Sequence, residues 1–250
     1  LILTHQKAGT HYLRFLLANY LQQMEAPGSA PVSYAELQKR MPNRRDRVLR
    51  GLEPVADGKD FTLFGIREVM YGHVHDRVAQ ANDHHHLGRK VICVRNPLDF
   101  LISIWHYNYL QRPNPEKSSQ SIDDILSKEI SKYSAQVKFL KEVAQSTLER
   151  TFMTSYEALQ IDPASEFSGA LRLCGIEVKE DLLVAAVRNS SFQEVRRQED
   201  ERGQAIVAPI SGRFTRDGSI GQWKSHLTDG QITKISEILA RQGLSLDDYI

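Results

Sequence analysis

The loop after the first apolar run of the sequence contains residue types that could bind an anion. Residues Leu1–Thr4 are followed by Lys7, Gly9 and Thr10, and a leucine-rich helical pattern begins at once. A strand that runs through a short polar turn into a helix points free backbone N–H groups at an anion. Lys7 adds a mobile positive charge beside them. The segment therefore predicts a phosphate-binding loop.

A second segment of the same kind lies about 85 residues further along the chain. The apolar run Val91–Val94 ends at Arg95, Pro97 marks the first turn of a helix, and Ser103 follows on that helix. Arginine offers a fork of donors that suits a phosphate, and a serine hydroxyl can add another. Two such segments in one domain predict a nucleotide that is phosphorylated at both ends.

The first loop differs from that of ordinary ATP- and GTP-binding proteins. Their loop reads G-x-x-x-x-G-K-[ST], with the lysine after the last glycine. Here Lys7 precedes Gly9, and the loop has no earlier glycine. A P-loop kinase is therefore disfavoured, but it stays one alternative. A nucleotide-binding module without catalysis is the other.

The order Lys-x-Gly-Thr, followed by an aromatic residue, resembles the 5′-phosphosulfate loop of sulfotransferases that use 3′-phosphoadenosine 5′-phosphosulfate (PAPS). Four further segments resemble motifs of that family in the same order: residues 95–103, 156–163, 190–193 and 216–224. Together with the first loop, these matches cover roughly 220 residues. The resemblance implies a P-loop-like, three-layer α/β fold with a central, mostly parallel sheet and helices on both faces.

The resemblance also implies a role for each matched residue. Lys7 would meet the oxygen that leaves between sulfur and phosphorus, where negative charge develops. Arg95 and Ser103 would hold the 3′-phosphate, and Arg216 with the Gly218 backbone would complete that clamp from the opposite side. The implied nucleotide site comprises Lys7, Ala8, Gly9, Thr10, His11, Tyr12, Arg95, Ser103, Tyr156, Ser190, Phe192, Arg216, Asp217 and Gly218.

The remainder of the nucleotide is assigned in the same way. Backbone amides of the first loop, with the Thr10 hydroxyl, would cradle the 5′-phosphate. Tyr12, which stands where the family usually has Trp, and Phe192 would offer aromatic faces to adenine. Asp217 departs from the family pattern because it replaces a lysine, which removes one positive charge from the 3′-phosphate clamp. Arg213 is a candidate to compensate for that loss.

A sulfuryl acceptor must lose a proton, and histidine is the natural base near neutral pH. The family's histidine lies at the end of the strand before the 3′-phosphate strand, where this sequence has His73 and His75. His73 is favoured because it falls at the strand end and at the family's usual distance before the arginine. His75 stays open, and so does a carboxylate base, Glu68.

The identity of the acceptor and of any partner is less specified. A small molecule or a glycan is expected as acceptor, and no nucleic acid, because the net charge is only +1. Some family members carry a dimer motif, Lys-x-x-x-Thr-Val-x-x-x-Glu. Lys224 and Thr228 match this motif, but Asp229 stands in place of the valine and Thr233 in place of the glutamate, so that dimer is not expected. The consecutive histidines at 84–86 are interpreted as a loop, and no metal is expected.

The length of 250 residues fits one domain, which the resemblance implies to be a sulfotransferase domain over residues 1–250. No run of about 18 apolar residues is present, so no membrane segment is expected. The two cysteines do not form a disulfide framework and favour a cytoplasmic location. Because Leu1 begins inside a predicted strand, the natural chain could start earlier, and an upstream membrane anchor stays open.

Strands alternate with helices along the chain, which predicts a parallel sheet covered on both faces. Residues 33–52 are polar and basic and are interpreted as a substrate-side segment, and residues 196–222 show little periodicity. Strands are predicted at residues 1–4, 61–66, 69–72, 91–94 and 151–154, and helices at about 9–23, 97–109, 121–145, 163–173, 179–187 and 229–242.

Overall fold

The structure, a computed structural model, describes residues 1–41, 62–63, 66–67, 71–73, 88–111, 119–202 and 215–249. The three short stretches between residues 62 and 73 are described by their backbone alone. Of the sequence-predicted residues, Glu68, His75 and Arg213 lie outside these ranges, and so do the histidines at 84–86.

A four-stranded parallel sheet forms the centre of the fold, in the order β4-β1-β5-β6. Thr4, at the end of β1, is in register with His73 on one side and with Cys93 on the other. A separate antiparallel pair is formed by β2 and β3. The strands are β1 (Ile2–Thr4), β2 (Thr62–Leu63), β3 (Ile66–Arg67), β4 (Tyr71–His73), β5 (Lys90–Val94) and β6 (Thr151–Ser155).

Helices make up most of the remaining described chain. A six-residue π-helical turn, Trp105–Leu110, continues the third helix, and 3₁₀ turns lie at Leu148–Arg150, Gln222–Ser225 and Leu246–Tyr249. The α-helices are α1 (Thr10–Glu25), α2 (Tyr34–Arg40), α3 (Pro97–Ile104), α4 (Ile122–Ser146), α5 (Tyr156–Ile161), α6 (Pro163–Leu173), α7 (Glu180–Asn189), α8 (Phe192–Arg202) and α9 (Asp229–Ala240).

Alternate residues of the sheet face two separate cores, because successive side chains of a strand point to opposite faces. Leu3 and Ile92 pack with α3, α4 and α9 on one face. Ile2 and Val91 pack with α1, α2 and α5 to α8 on the other. The predicted three-layer arrangement with helices on both faces is thus confirmed.

Capping residues explain where the helices begin. The Asn96 side chain accepts hydrogen bonds from the Leu98 and Asp99 amides, and Pro97 occupies the first helical position. Ser121 forms a capping box with Asp124 at the start of α4. These local signals are present in the sequence, so the starts of α3 and α4 were predicted correctly.

Helices α2, α5 and α8 lie where the sequence pattern predicted none. Helix α8 is strongly polar, yet two of its polar side chains form hydrogen bonds in the protein interior. Gln198 Nε2 donates to the Val32 carbonyl at 3.2 Å, and a buried Glu199 carboxylate accepts from the Thr215 amide at 2.9 Å. The helix predicted for residues 97–109 is also only partly α-helical, since it becomes a π turn after Ile104.

Among the described residues, no helix has the length and apolar character needed to cross a bilayer.

Candidate active site

A cavity of about 440 Å³ lies at the carboxyl ends of the parallel strands. The segments that follow β1, β5 and β6 line it, which is the usual position of a ligand site in a parallel α/β sheet. All five matched sequence segments contribute to its wall. Of the nucleotide residues implied by the sequence, Ala8 is the exception: it is buried, and its carbonyl accepts a hydrogen bond from the Cys93 thiol at 3.0 Å.

The first loop bends sharply between β1 and α1. Lys7 has a φ of 61°, in the left-handed region that side chains rarely adopt, and Gly9 has a φ of 83°. A Cβ on Gly9 would lie 2.6 Å from Cδ2 of Tyr156, so the loop and this ring touch directly. The Thr10 hydroxyl hydrogen-bonds the Thr4 hydroxyl at 2.7 Å, which anchors the loop to β1.

Two aromatic side chains fix the main chain of Arg95. The buried His5 ring accepts the Arg95 amide proton at Nε2, at 3.0 Å. Its proton is therefore on Nδ1, which donates to the Gln6 carbonyl at 2.7 Å. The Tyr133 hydroxyl donates to the Arg95 carbonyl at 2.6 Å. The first loop and the end of β5 are thus joined through one neutral histidine.

Arg95 is 6% exposed and lines the cavity. Its Nη1 donates to the Lys7 carbonyl at 3.1 Å, and its Cζ lies 4.5 Å from the centre of the Tyr156 ring. Within the described part of the chain, its buried Nε has no hydrogen-bond partner. A buried cationic donor without a partner fits an anionic ligand that accepts from it.

Tyr156 connects the first loop and the end of β5 with the loop of residues 216–224, here called the late loop. Burial raises the pKa of its phenol, which is therefore neutral and donates to the Gly218 carbonyl at 2.6 Å. Gly218 has a φ of 77°, and a Cβ there would lie 2.5 Å from Cδ2 of Phe192. The predicted adenine-side residue Phe192 is thus packed directly against the predicted 3′-phosphate loop.

Asp99 holds the late loop against α3. Its carboxylate accepts from the Gly221 amide at 2.6 Å and from the Trp223 amide at 3.1 Å. Within this loop, Arg216 donates to the Gln222 side chain. The sequence reasoning gave no role to Asp99. An acidic residue in the first turn of an otherwise apolar helix was the signal that could have identified it.

The other late-loop and adenine-side residues also line the cavity. The Ser190 hydroxyl accepts from the Asn19 side chain at 3.0 Å. Burial, together with Tyr156, raises the pKa of Tyr12 to about 12, so its phenol is neutral. The Asp217 carboxylate accepts from the Ser219 amide at 3.1 Å, and hydrogen bonding to Ser219 holds its pKa below the usual value.

The opposite end of the cavity includes His11 and α2. The rings of His11 and Tyr34 stack with centroids 5.6 Å apart, and His11 Nε2 lies 3.3 Å from the Tyr34 hydroxyl. Gln38 donates to the same hydroxyl. The side chain of His11, which lies in the first turn of α1, therefore joins α1 to α2.

The backbone places His73 at the end of β4. It is in register with Thr4, three residues before Lys7. Of the three sequence-predicted candidates for the base, His73 is therefore the one whose backbone the structure describes, and it lies at the strand end that was predicted.

Two residues of the π turn, His106 and Tyr107, line the cavity but were not among the predicted site residues. Lys7 Nζ lies 4.2 Å from the centre of the Tyr107 ring. Burial, with smaller contributions from Arg216 and His226, lowers the pKa of His106 to about 4. The buried His106 Nε2 has no hydrogen-bond partner in the described ranges.

Within the described ranges, no group of three or more His, Cys, Asp or Glu side chains could hold a metal ion.

The structure is an α/β fold in which the two predicted anion-binding loops line one cavity. The sequence matches the family model described as "Sulfotransferase domain" over residues 1–245. The chain belongs to the sulfotransferase family, and the sequence-based prediction of that family is confirmed.

Curated relatives of this chain are sulfotransferases of moderate similarity. It is 25% identical to mouse sulfotransferase 2B1 over 161 residues, which are 61% of this chain and 47% of that protein. It is 27% identical to the guinea pig (Cavia porcellus) 3-alpha-hydroxysteroid sulfotransferase over 158 residues, or 59% of this chain and 53% of that protein. The chain thus spans about half the length of the curated relatives it matches.

Solved structures with the same fold cover nearly the whole chain. Mouse sulfotransferase SULT7A1 complexed with PAP aligns with a TM-score of 0.65 at 18% identity, covering 96% of this chain and 82% of that one. Retinol dehydratase in complex with retinol and PAP aligns with a TM-score of 0.65 at 15% identity, covering 96% and 80%. At these identities the likeness establishes the fold.

Proposed function

We propose that this protein transfers a sulfuryl group from PAPS to an acceptor hydroxyl or amine, giving PAP (3′-phosphoadenosine 5′-phosphate) and a sulfated product. The observation that carries the proposal is one cavity that contains both the Lys7 loop and Arg95, whose buried Nε has no partner among the described residues. Leaving such a donor unpaired costs free energy until a ligand accepts from it. Family membership supports the same reaction, and solved neighbours of the same fold bind PAP.

Lys7 is the group that we assign to the leaving oxygen. PAPS supplies a sulfuryl group bound to phosphate through a bridging oxygen. The acceptor oxygen or nitrogen forms a bond to sulfur as the bond to the bridging oxygen breaks, and the bridging oxygen leaves as an anion on PAP. Lys7 would neutralise that charge with its ammonium, while backbone amides of the first loop hold the 5′-phosphate.

Arg95 is the main group that we assign to the 3′-phosphate. Its Nε is available toward the ligand, while its Nη1 stays on the Lys7 carbonyl. Ser103 and Arg216 line the same cavity and would add a hydroxyl and a second guanidinium. The Asp217 carboxylate accepts from the Ser219 amide and gives this clamp one negative charge where the family has a lysine.

The adenine would lie among aromatic and hydroxyl side chains of the cavity wall. Tyr12 and Phe192 offer the ring faces, and Ser190 and Tyr156 complete this side of the site.

His73 is the residue that we favour as the base. Its register with Thr4 puts its backbone beside the strand end from which the Lys7 loop leaves. An imidazole there would take the acceptor proton as the new bond to sulfur forms. His75 and Glu68 remain the alternatives.

We also propose a small molecule or a glycan as the acceptor, one domain over residues 1–250 and a cytoplasmic location. A P-loop kinase is disfavoured because Lys7 precedes Gly9, in contrast to the ordinary ATP-binding loop. A binding module without catalysis is disfavoured because Lys7 follows the end of β1 and the candidate base His73 ends the neighbouring strand β4.

The proposal is tested by incubating the protein with ³⁵S-labelled PAPS and a panel of phenols, alcohols, amines and glycans. Labelled product is expected with at least one acceptor. Lys7→Ala should raise the activation barrier of the transfer by about 2–4 kcal/mol, as for other lost oxyanion donors, and so lower the rate. Lys234→Ala, an exposed lysine on α9, is the matched control and should keep the wild-type rate. Phosphate transfer from ATP without sulfate transfer would favour a kinase, and tight PAP binding without any transfer would favour a binding module.

A further inference from the structure

The Lys7 side chain is not extended into solvent but lies over an aromatic ring. Its Nζ is 4.2 Å from the centre of the half-buried Tyr107 ring, and both residues line the cavity. An ammonium at this distance from a ring face is attracted by the negative potential of the π system. Lysine otherwise carries a flexible four-carbon stem with high rotamer entropy, so the ring restricts where the charge can be.

The main chain of Lys7 is held independently of this contact. Its carbonyl accepts from Arg95 Nη1 at 3.1 Å, and its φ of 61° is the one left-handed value of a non-glycine residue in the described ranges. A residue in that region costs free energy and persists where surrounding contacts maintain it. The Lys7 side chain therefore starts from a fixed point and in a fixed direction.

The ring of Tyr107 is fixed from the other side by the π turn Trp105–Leu110. Its neighbours in the turn are anchored: Trp105 Nε1 donates to the Gln120 carbonyl at 3.0 Å, and the Tyr109 hydroxyl donates to Glu129 at 2.5 Å. The Gln111 amide closes the wide turn on the His106 carbonyl at 2.9 Å. Such π turns occur frequently at functional sites. The contact thus joins a rigid loop to a rigid helix end.

We propose that Tyr107 is a positioning residue that holds the Lys7 ammonium inside the cavity before the nucleotide binds. The proposal rests on the proposed function of Lys7 and adds a specific role for a residue on the π turn. With its charge held in place, Lys7 reaches the bridging oxygen with little loss of freedom. The proposal assigns this hold to the face of the ring.

Kinetic variants test the role of the ring. Tyr107→Leu should lower kcat by about three- to tenfold, the strength of a partly desolvated cation–π contact, while PAP affinity stays within about twofold. Tyr107→Phe keeps the ring and should stay within about twofold of wild type in both quantities. Leu110→Ala, exposed on the same turn, is the control for disturbance of the π turn and should keep kcat. In a Lys7→Ala background, Tyr107→Leu should have no further effect, because the ring would have no ammonium to hold.

Nuclear magnetic resonance tests the contact without any need for activity, so a failure of the proposed function is told apart from a failure of this inference. With ¹³C-labelled lysine, the ε-methylene protons of Lys7, assigned through Lys7→Ala, should be shifted upfield by the ring current. That shift should persist in Tyr107→Phe and vanish in Tyr107→Leu. An unshifted Lys7 in the wild type would overturn the proposal. So would an undiminished kcat in Tyr107→Leu, equal damage from Phe and Leu, or additive effects with Lys7→Ala.

Discussion

Gly9→Ala is a sharp test of the packing between the first loop and Tyr156. The new Cβ would lie 2.6 Å from Cδ2 of that ring. The ring has little room to move, because its hydroxyl is held by the Gly218 carbonyl and its face by the Arg95 guanidinium. A displacement at Gly9 therefore reaches both the β5 end and the late loop.

Gly28→Ala provides a matched control for this substitution. Gly28 has a φ of 79°, close to the 83° of Gly9, but a Cβ there would meet no atom within 4 Å. Each alanine costs about 1 kcal/mol for the left-handed backbone. Gly9→Ala adds about 1–3 kcal/mol for the overlap with Tyr156. We therefore expect a loss of about 1 kcal/mol at Gly28 and about 2–4 kcal/mol at Gly9.

Urea unfolding measures these free energies, and isothermal titration with PAP measures the consequence for the site. PAP affinity should fall by about tenfold or more in Gly9→Ala, since Arg95 and the Gly218 loop move with the ring. It should be unchanged in Gly28→Ala, which lies outside the cavity lining. Equal losses of stability and equal PAP affinity in the two variants would refute the idea that Tyr156 packs the two loops together.

Three other predictions concern single side chains. Arg95→Ala should abolish most of the preference for PAP over adenosine 5′-phosphate, because a charge-assisted contact to the 3′-phosphate is lost. The ratio of the two dissociation constants should change by roughly 30-fold or more, and an unchanged ratio would put the 3′-phosphate elsewhere. His73→Ala should lower turnover by about 10²–10⁴ with nearly constant PAP affinity, whereas His75→Ala should be mild; the reverse order in turnover assays would assign the base to His75, and activity of the double variant would favour Glu68. Since the pKa of His106 falls from 6.5 to about 4 on folding, the unfolded chain takes up a proton between these pH values that the folded chain does not, so stability falls as the pH drops through that window. His106→Gln should remove about 1–3 kcal/mol of that loss between pH 7 and 4.5 in urea unfolding, and an unchanged pH dependence would contradict the buried, neutral imidazole.

Local signals in the sequence account for much of the fold. The apolar run Val91–Val94 and the Asn96-Pro97 cap identify β5 and the start of α3 without further information. Helix α8 could not be predicted in this way, because its inward-facing Gln198 and Glu199 are polar and meet partners far along the chain. Periodicity describes apolar faces, and a helix buried through polar side chains gives no such pattern.

The π turn is a similar case. Its residues read as a continuation of α3, and the wide turn is accompanied by hydrogen bonds to Gln120 and Glu129 that lie outside the segment. Sequence spacing alone assigns Trp105, Tyr107 and Tyr109 to one helix without saying which ring reaches the cavity.

The candidate site was predicted in its parts but not in its connections. Lys7 and Arg95 were identified from the strand, turn and helix pattern around each of them. That Arg95 donates to the Lys7 carbonyl, and that Tyr156 packs on both segments, follows from tertiary contacts between distant residues. The role of Asp99 in holding the late loop was missed for the same reason.

The central claim is that the cavity takes a nucleotide with phosphates at both ends, held by the Lys7 loop and Arg95. Its most direct test is the affinity of the wild-type protein for PAP, adenosine 5′-phosphate, ADP and ATP, measured by isothermal titration in one buffer. PAP should bind at least about 100-fold more tightly than the other three, because only PAP carries a 3′-phosphate for the buried Arg95 donor. Binding of ATP or ADP as tight as that of PAP would contradict the claim.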